Sequence, residues 1–187
     1  GTYHVRLKLA ATRKLDSAAN CVSIAVNGRE AVRKMDVTAT AGGPDRAFDL
    51  IPHKPLPDTK PDSRLRTVTI RQCLQHTGGW DRDKSFDPMF RPKLIATAVG
   101  EGAPAGPNAV IRYMMGQPLD FDPGTRYAYS NFGYCVLGRV IEQLTGKSYE
   151  TFAKEAVLAP SGIKSMRLGR SLESGRSPNE VRYYMPE

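Results

Sequence analysis

Residues 118–146 read PLDFDPGTRYAYSNFGYCVLGRVIEQLTG and carry the clearest structural signal in the chain. The apolar residues of the second half are spaced as on one face of an α-helix. These residues are Val136, Leu137, Val140, Ile141 and Leu144. Ser130 or Asn131 can cap the N-terminus of this helix, and Gly146 stands where a left-handed C-terminal cap is expected. The stretch therefore predicts a central, buried helix over about residues 132–145.

The first half of the stretch is a turn that leads into aromatic and polar residues. Pro123 presets φ and Gly124 accepts a positive φ, which together predict a tight turn. Tyr129, Ser130 and Asn131 follow, so a phenol, a hydroxyl and a carboxamide stand together at a helix N-terminus, where positive potential collects. The three are candidate site residues for handling an oxyanion or a proton in transit. A helix cap beside a packed tyrosine would give the same local pattern.

Working outward, the preceding segment predicts a shorter helix. Thr69 and Gln72 have the spacing of a capping box, with apolar residues directly behind them. Residues 76–80, HTGGW, end this helix. His76 is expected in the last turn, where the negative end of the helix dipole gives it a structural role.

The remaining pattern predicts a mainly α-helical fold with one small β-hairpin. The hairpin is expected over residues 22–32, because Asn27-Gly28 between two β-prone runs suits a type I′ turn. Further helices are predicted near residues 93–99, over 107–115, and after a cap at Ser148. The last of these should turn Tyr149, Phe152, Ala153, Ala156 and Val157 inward. No internal repeat is present.

The composition is globular, with 40% hydrophobic and 25% charged residues, and 187 residues fit one domain or one large lobe of a bigger fold. The 27 Lys and Arg exceed the 19 Asp and Glu and give a net charge of +8, but no nucleic-acid-binding motif accompanies them. No apolar run approaches the ~20 residues of a membrane span, and no signal-peptide-like segment opens the chain. We therefore expect neither a nucleic acid nor a membrane as partner, and the localisation stays open.

The cysteines and histidines indicate neither a disulfide framework nor a metal site. Cys21, Cys73 and Cys135 are odd in number and far apart, which favours free thiols, and the last two fall on apolar helix faces. The three histidines lack metal-ligand spacing. We expect no metal and no cofactor, and we expect Cys73 and Cys135 to be reduced and inert.

Two segments resemble a known family. Residues 65–80, LRTVTIRQCLQHTGGW, resemble the Leu-Leu-x-His-Thr-Ser-Gly segment of serine β-lactamases and penicillin-binding proteins. Residues 121–166 resemble their Pro-Gly … Tyr-Ser-Asn-x-Gly-Tyr segment and the two helices that follow it. The nearest cluster comprises class C β-lactamases, D-alanyl-D-alanine carboxypeptidases and family VIII esterases. The resemblance covers about residues 45–186 and implies the helical lobe of that fold.

The resemblance also implies a chemistry. In this family a serine of a Ser-x-x-Lys motif forms an acyl-enzyme, and the lysine shares proton transfer with the tyrosine of Tyr-x-Asn. That tyrosine corresponds to Tyr129 and the asparagine to Asn131. A phenol takes a serine proton only where neighbouring cations favour its ionised form, and the asparagine offers N–H donors to the substrate.

This sequence departs from the family pattern at the nucleophile. No Ser-x-x-Lys precedes residue 76, and the single literal match, Ser161-Gly-Ile-Lys164, falls where relatives have a structural turn. Ser130 and Ser17 are the remaining candidate nucleophiles. No Lys-Thr-Gly or His-x-Gly motif follows Tyr129 in this sequence, and the literal His-x-Gly at His76-Thr77-Gly78 belongs to the segment already matched.

Two functions therefore stay open. One is a serine hydrolase that acts on a small-molecule ester, β-lactam or amide through an acyl-enzyme. The alternative is a non-catalytic or truncated lobe that only binds ligands or partners. In either case residues 1–44 form a shortened or rearranged N-terminal segment and residues 45–187 the helical lobe. Apolar surface on such a lobe would favour self-association.

Overall fold

The computed structural model describes part of the chain. The described residues are 21–26, 29–36, 46–48, 51, 54–170, 172–178 and 180. The strands are β1 (Cys21–Val26) and β2 (Arg29–Asp36), and the α-helices of the described ranges are α1 (Ile70–Leu74), α2 (Pro92–Val99), α3 (Pro107–Met114), α4 (Asn131–Thr145) and α5 (Tyr149–Phe152). The predicted fold class, mainly α with a small hairpin, is confirmed.

The hairpin is longer than the sequence predicted. Strands β1 and β2 are antiparallel, and Val26 pairs with Arg29, so two residues connect them. The predicted type I′ turn falls on residues 27 and 28, which lie outside the described residues. The second strand runs on to Asp36, past the predicted end at residue 32. The proposed division at residues 44 and 45 stays a prediction.

Helix α4 is the centre of the core, as the sequence predicted. The Ser130 side chain accepts a hydrogen bond of 3.2 Å from the Gly133 N–H at one end. At the other end Gly146 adopts φ 65° and its N–H donates to the Glu142 carbonyl. Between these caps Val136 and Val140 are buried and Leu144 is partly buried. The apolar periodicity and the two caps therefore gave the correct bounds within one residue.

Helices α1 and α3 pack against α4, and α2 packs against α3. Ile95 of α2 and Ile111 of α3 are completely buried, and the indole of Trp80 meets the Phe132 ring edge-on at 4.8 Å. The core also contains Ala47, Ile51, Leu65, Val68, Ile70, Cys73, Val110, Met114, Leu119 and Leu137. Two short 3₁₀ turns, Ser63–Thr67 and Pro88–Phe90, lie in the segments before α1 and before α2.

Helix α1 begins as predicted and ends earlier than predicted. The Thr69 side chain accepts from the Gln72 N–H, and the Gln72 side chain accepts from the Thr69 N–H, which completes the capping box. The helix ends at Leu74, and His76 has a positive φ of 56°. The predicted place of His76 in the last helical turn is wrong, because the chain has already left the helix there.

The segment after α4 begins at its predicted cap but does not bury its apolar face. The Ser148 side chain accepts from the Thr151 N–H, and α5 continues as a π-helical stretch, Ala153–Leu158. The five residues that were predicted to point inward are half-buried or exposed. Periodicity identified the apolar face correctly but not its burial. Within the described ranges, none of the helices combines the length and the apolar character that crossing a membrane would need.

Candidate active site

Two segments that lie far apart in sequence are joined by backbone hydrogen bonds. The Thr77 carbonyl accepts from the Gly124 N–H at 2.7 Å, and the Gly79 carbonyl accepts from the Asp120 N–H at 2.8 Å. The HTGGW segment therefore runs along the loop that leads to Tyr129. This pairing brings the two segments that carry the family resemblance into one site.

The close approach requires glycine at position 79. Gly79 has φ 109°, and a Cβ atom there would lie 2.9 Å from the Phe121 carbonyl oxygen. Side-chain-bearing residues rarely adopt such a φ, and a backbone atom cannot move aside as a flexible side chain can. The second glycine of HTGGW thus fixes how the loop lies on this segment.

Tyr129, Asn131 and Asp87 form a chain of hydrogen bonds. The Tyr129 hydroxyl donates to Asn131 Oδ1 at 2.9 Å, and Asn131 Nδ2 donates to Asp87 Oδ2 at 2.7 Å. The Asp87 side chain is only 9% exposed, whereas the Tyr129 residue is 46% exposed. The chain therefore runs from a buried carboxylate to a phenol at the surface.

Asp87 determines which way the Asn131 carboxamide faces. An ionised carboxylate only accepts hydrogen bonds, so it must meet the NH₂ side of the amide. The oxygen side then faces Tyr129 and receives the phenolic proton. The bond to Asp87 uses one N–H of Asn131 Nδ2, which leaves the other N–H for a further acceptor.

Histidine 76 contacts the same triplet from the other side. Its Nδ1 accepts from the Ser130 N–H at 3.1 Å. Its ring lies 4.8 Å from the Tyr129 ring and 5.1 Å from the Tyr134 ring. Because Nδ1 accepts, a neutral ring carries its proton on Nε2.

Ser130 is placed as a helix cap. It is 6% exposed, and its hydroxyl oxygen accepts from the Gly133 N–H in the first turn of α4. This contact orients the N-terminus of α4 directly beside Tyr129 and Asn131.

A cation lies beside the exposed phenol. The guanidinium carbon of Arg82 is 5.8 Å from the centre of the Tyr129 ring. Arg82 Nη1 is 3.8 Å from Asp87 Oδ2, a looser contact than a hydrogen bond, and the Arg82 side chain is 42% exposed. Arg82 Nε is also 3.8 Å from Asp83 Oδ1, so the guanidinium lies between two loosely held carboxylates and the Tyr129 ring. A negatively charged group near Tyr129 would meet its positive charge.

A charged cluster anchors the loop that precedes the site. Asp62 accepts from the Leu119 N–H at 3.0 Å, and Arg64 donates to the Leu119 carbonyl at 2.9 Å. Arg64 also bonds both Asp62 and Asp122. The hydrogen bond from Arg64 holds the pKa of Asp62 well below its usual range, and the two carboxylates raise the pKa of Arg64.

A second ion pair braces the turn itself. Arg126 Nη2 lies 2.7 Å from Asp81 Oδ2, and its guanidinium stacks 4.2 Å from the centre of the Phe121 ring. The hydrogen bond from Arg126 lowers the pKa of Asp81. The loop that presents Tyr129 is thus tied at one end to Asp62 and Arg64 and at the other end to Asp81, the residue after HTGGW.

Of the other candidate nucleophiles, the structure describes Ser161 and not Ser17. Ser161 Oγ donates to the Val157 carbonyl at 3.0 Å within its own helical segment. Ser17 lies outside the described residues. Within the described ranges, no group of three or more His, Cys, Asp or Glu side chains could hold a metal ion.

Two residues of the site were missed in the sequence, and a third was given a different role. Asp87 precedes Pro88, a pattern that signals only a turn start, and its carboxylate does accept from the Met89 N–H. Arg82 lies in a polar loop without periodicity. His76 was identified within HTGGW but was given a helix-dipole role instead of its contact with Ser130.

The sequence is similar to one family and to several curated proteins. The Beta-lactamase family profile matches residues 13–184. A probable fimbrial assembly protein FimD, serogroup H1, of Dichelobacter nodosus is 36% identical over 94 residues, 50% of this chain and 22% of that protein. Penicillin-binding protein 4 of Amycolatopsis lactamdurans is 31% identical over 124 residues, 66% and 29% of the two chains. N-acetylmuramyl-L-alanine amidase of Bacillus subtilis is 34% identical over 139 residues, 74% and 27% of the two chains.

The fold was also compared with solved structures. The octameric penicillin-binding protein homologue from Pyrococcus abyssi is 24% identical, with a TM-score of 0.45 over 71% of this chain and 31% of that one. The chain spans roughly a quarter of the length of the three curated relatives named above.

Proposed function

Because the chain belongs to the β-lactamase family, whose profile covers residues 13–184, we propose that it hydrolyses a small-molecule ester, β-lactam or amide through an acyl-enzyme. In this proposal Tyr129 transfers the proton and Asn131 holds the polar edge of the substrate. The observation that carries it is the hydrogen-bonded chain from Asp87 through Asn131 to the exposed phenol of Tyr129.

The proposed reaction has two halves. In the first half a serine oxygen attacks the acyl carbon, the Tyr129 phenol gives its proton to the leaving alcohol or amine, and the serine proton takes its place on Tyr129. Water then attacks the acyl-serine, and the serine recovers its proton as the acid is released. Tyr129 suits this role because it is exposed, its neutral phenol is hydrogen-bonded to Asn131, and the Arg82 guanidinium lies near its ring and would favour negative charge that develops on the oxygen.

Two residues support Tyr129 in this proposal. The Asn131 Nδ2 hydrogen not used by Asp87 would donate to the substrate carbonyl or amide. Ser130 is assigned a positioning role, since its hydroxyl caps α4 and the residue is 6% exposed. The nucleophile is then a different serine of the protein, and Ser17 is the candidate that the sequence offers.

A non-catalytic lobe is the second candidate. The observation that favours it is the absence of Ser-x-x-Lys ahead of residue 76 in this sequence. Such a lobe would bind an ester or lactam at Tyr129 and Asn131 without forming an acyl-serine.

The test compares Tyr129→Phe with Tyr127→Phe. Tyr127 is also exposed, and its ring lies 5.7 Å from the His76 ring, so it is a matched control without the bond to Asn131. Turnover of p-nitrophenyl butyrate and of nitrocefin is measured for both variants and for the wild type. Loss of general acid–base catalysis should lower turnover by ~10²–10⁴-fold in Tyr129→Phe alone.

A second measurement identifies the nucleophile. The wild-type chain is incubated with an activated fluorophosphonate, and peptide mass spectrometry locates any serine adduct. A serine adduct supports the hydrolase function if Tyr129→Phe also loses turnover and Tyr127→Phe does not. Equal turnover in both tyrosine variants would contradict the role of Tyr129, and binding without adduct or turnover would establish the non-catalytic lobe.

A further inference from the structure

Histidine 76 contacts the backbone on both sides of Tyr129. Its carbonyl oxygen accepts from the Ala128 N–H at 2.9 Å, and its Nδ1 accepts from the Ser130 N–H at 3.1 Å. His76 thus accepts from the N–H groups of the two residues that flank Tyr129, Ala128 and Ser130. Its ring also covers one side of the Tyr129 ring, at 4.8 Å and with 35° between the planes.

The left-handed backbone at position 76 makes these two contacts possible together. His76 has φ 56°, a conformation that few residues with side chains adopt. Its N–H still bonds the Cys73 carbonyl at the end of α1. The imidazole is thereby turned from α1 toward the start of α4, where Ser130 begins the helix.

We infer that His76 is the positioning residue that sets the direction of the Tyr129 hydroxyl for the proposed acyl transfer. The inference rests on the proposed function and adds a residue that acts through Tyr129. An apolar side chain could fill the space between the aromatic rings, but it would leave the Ser130 N–H without its acceptor. The acceptor at Nδ1, and not ring packing alone, is therefore what position 76 supplies.

Two substitutions separate the acceptor from the backbone conformation. In His76→Asn the acceptor Oδ1 is three bonds from Cα, as Nδ1 is in histidine, and asparagine tolerates a left-handed φ. His76→Gly adopts the same φ without strain but has no acceptor. Both variants remove the ring, so their difference reports the hydrogen bond to Ser130.

The kinetic readout is the hydrolysis of p-nitrophenyl butyrate. We expect kcat of His76→Gly to fall by about 10–100-fold with little change in KM, because small misplacements of a catalytic group cost rates of this order. His76→Asn should keep kcat within about threefold of the wild type, since the acceptor is retained. Equal kcat values in the two variants would overturn the inference.

A second readout does not depend on catalysis. Hydrogen exchange of the Ser130 amide, followed by NMR, should be about five- to tenfold faster in His76→Gly than in His76→Asn. If the wild type shows no turnover, the proposed function fails while this difference still tests the contact. Equal Ser130 exchange in the two variants would show that His76 serves only the left-handed backbone and would overturn the inference.

Discussion

Asn131 Nδ2 donates a hydrogen bond of 2.7 Å to Asp87 Oδ2 and so ties the start of α4 to a turn 44 residues earlier. The other side of the same carboxamide accepts the Tyr129 phenol. The Asp87 carboxylate therefore acts on the exposed Tyr129 hydroxyl through the Asn131 carboxamide. The orientation of Asn131 is the property that a substitution at Asp87 should change.

We expect Asp87→Asn to lower ester turnover by about 10–100-fold, the kinetic equivalent of losing one charge-assisted hydrogen bond. An asparagine can present either its oxygen or its NH₂, so Asn131 is no longer held in one orientation. The cap on the Met89 N–H survives, because asparagine is as good a cap as aspartate. Turnover and melting temperature are measured together.

Asp83→Asn is the matched control for this charge. Asp83 is in the same loop, its side chain is 91% exposed, and, like Asp87, it has an oxygen 3.8 Å from the Arg82 guanidinium. Asp83→Asn therefore removes a carboxylate from Arg82 but keeps the bond between Asp87 and Asn131, and it should not lower turnover. If both variants lose turnover equally, the effect comes from the charge of the loop and not from the bond to Asn131.

The sequence predicted those parts of the structure that depend on neighbouring residues. The caps at Ser130 and Gly146 and the capping box at Thr69 are such local features, and each was confirmed. The apolar face of α4 was also confirmed, because a regular period needs no knowledge of the partner. Family resemblance, from two motifs in order, was confirmed by the profile match over residues 13–184.

Contacts between distant residues could not be predicted from local pattern. Asp87 is recognisable as a turn start, yet nothing near it indicates that its second oxygen faces Asn131. The same holds for His76, whose role depends on a positive φ that the sequence does not signal at a non-glycine residue. The predicted burial of the apolar face of α5 was wrong for another reason. Periodicity shows which residues share a face, but it does not show whether another part of the protein covers that face.

The buried face of α4 should be sensitive to truncation. Val140 is 3% exposed, so Val140→Ala should lower the free energy of unfolding by about 1–3 kcal/mol through lost burial and a residual cavity. Gln143→Ala, an exposed position on the same helix, should change it by less than about 0.5 kcal/mol. Urea denaturation measures both. A Val140→Ala cost as small as that of the control would contradict the central position of α4.

The thiols of Cys73 and Cys135 should react slowly in the native protein. Cys73 is 1% exposed, and burial raises the pKa of Cys135 to about 11. At pH 8 the thiolate fraction of Cys135 is then about 100-fold lower than for a thiol of pKa 9.0. Labelling with a disulfide reagent, mapped by peptide mass spectrometry, should modify both sites quickly only after unfolding. Rapid native labelling at either site would contradict this.

Asp62 should make stability depend on acid pH. Its hydrogen bonds with Arg64 and the Leu119 N–H favour the charged carboxylate and lower its pKa in the folded state. In the unfolded chain an aspartate has a pKa of about 4. The folded protein therefore binds fewer protons at this group, so its contribution is present above about pH 4 and is lost as the pH falls toward the folded pKa.

We therefore expect Asp62→Asn to destabilise the protein most at neutral pH and progressively less below about pH 4. The measurement is the difference in unfolding free energy between wild type and variant, from urea titrations at pH values between about 3 and 7. Asp58→Asn, an exposed carboxylate nearby, controls for the general effect of removing one negative charge. A difference that stays constant with pH for Asp62→Asn would contradict the lowered pKa. We expect the difference in unfolding free energy to become smaller in acid for Asp62→Asn and for Arg64→Gln alike. That result would identify the Asp62–Arg64 pair as the anchor of the Tyr129 loop.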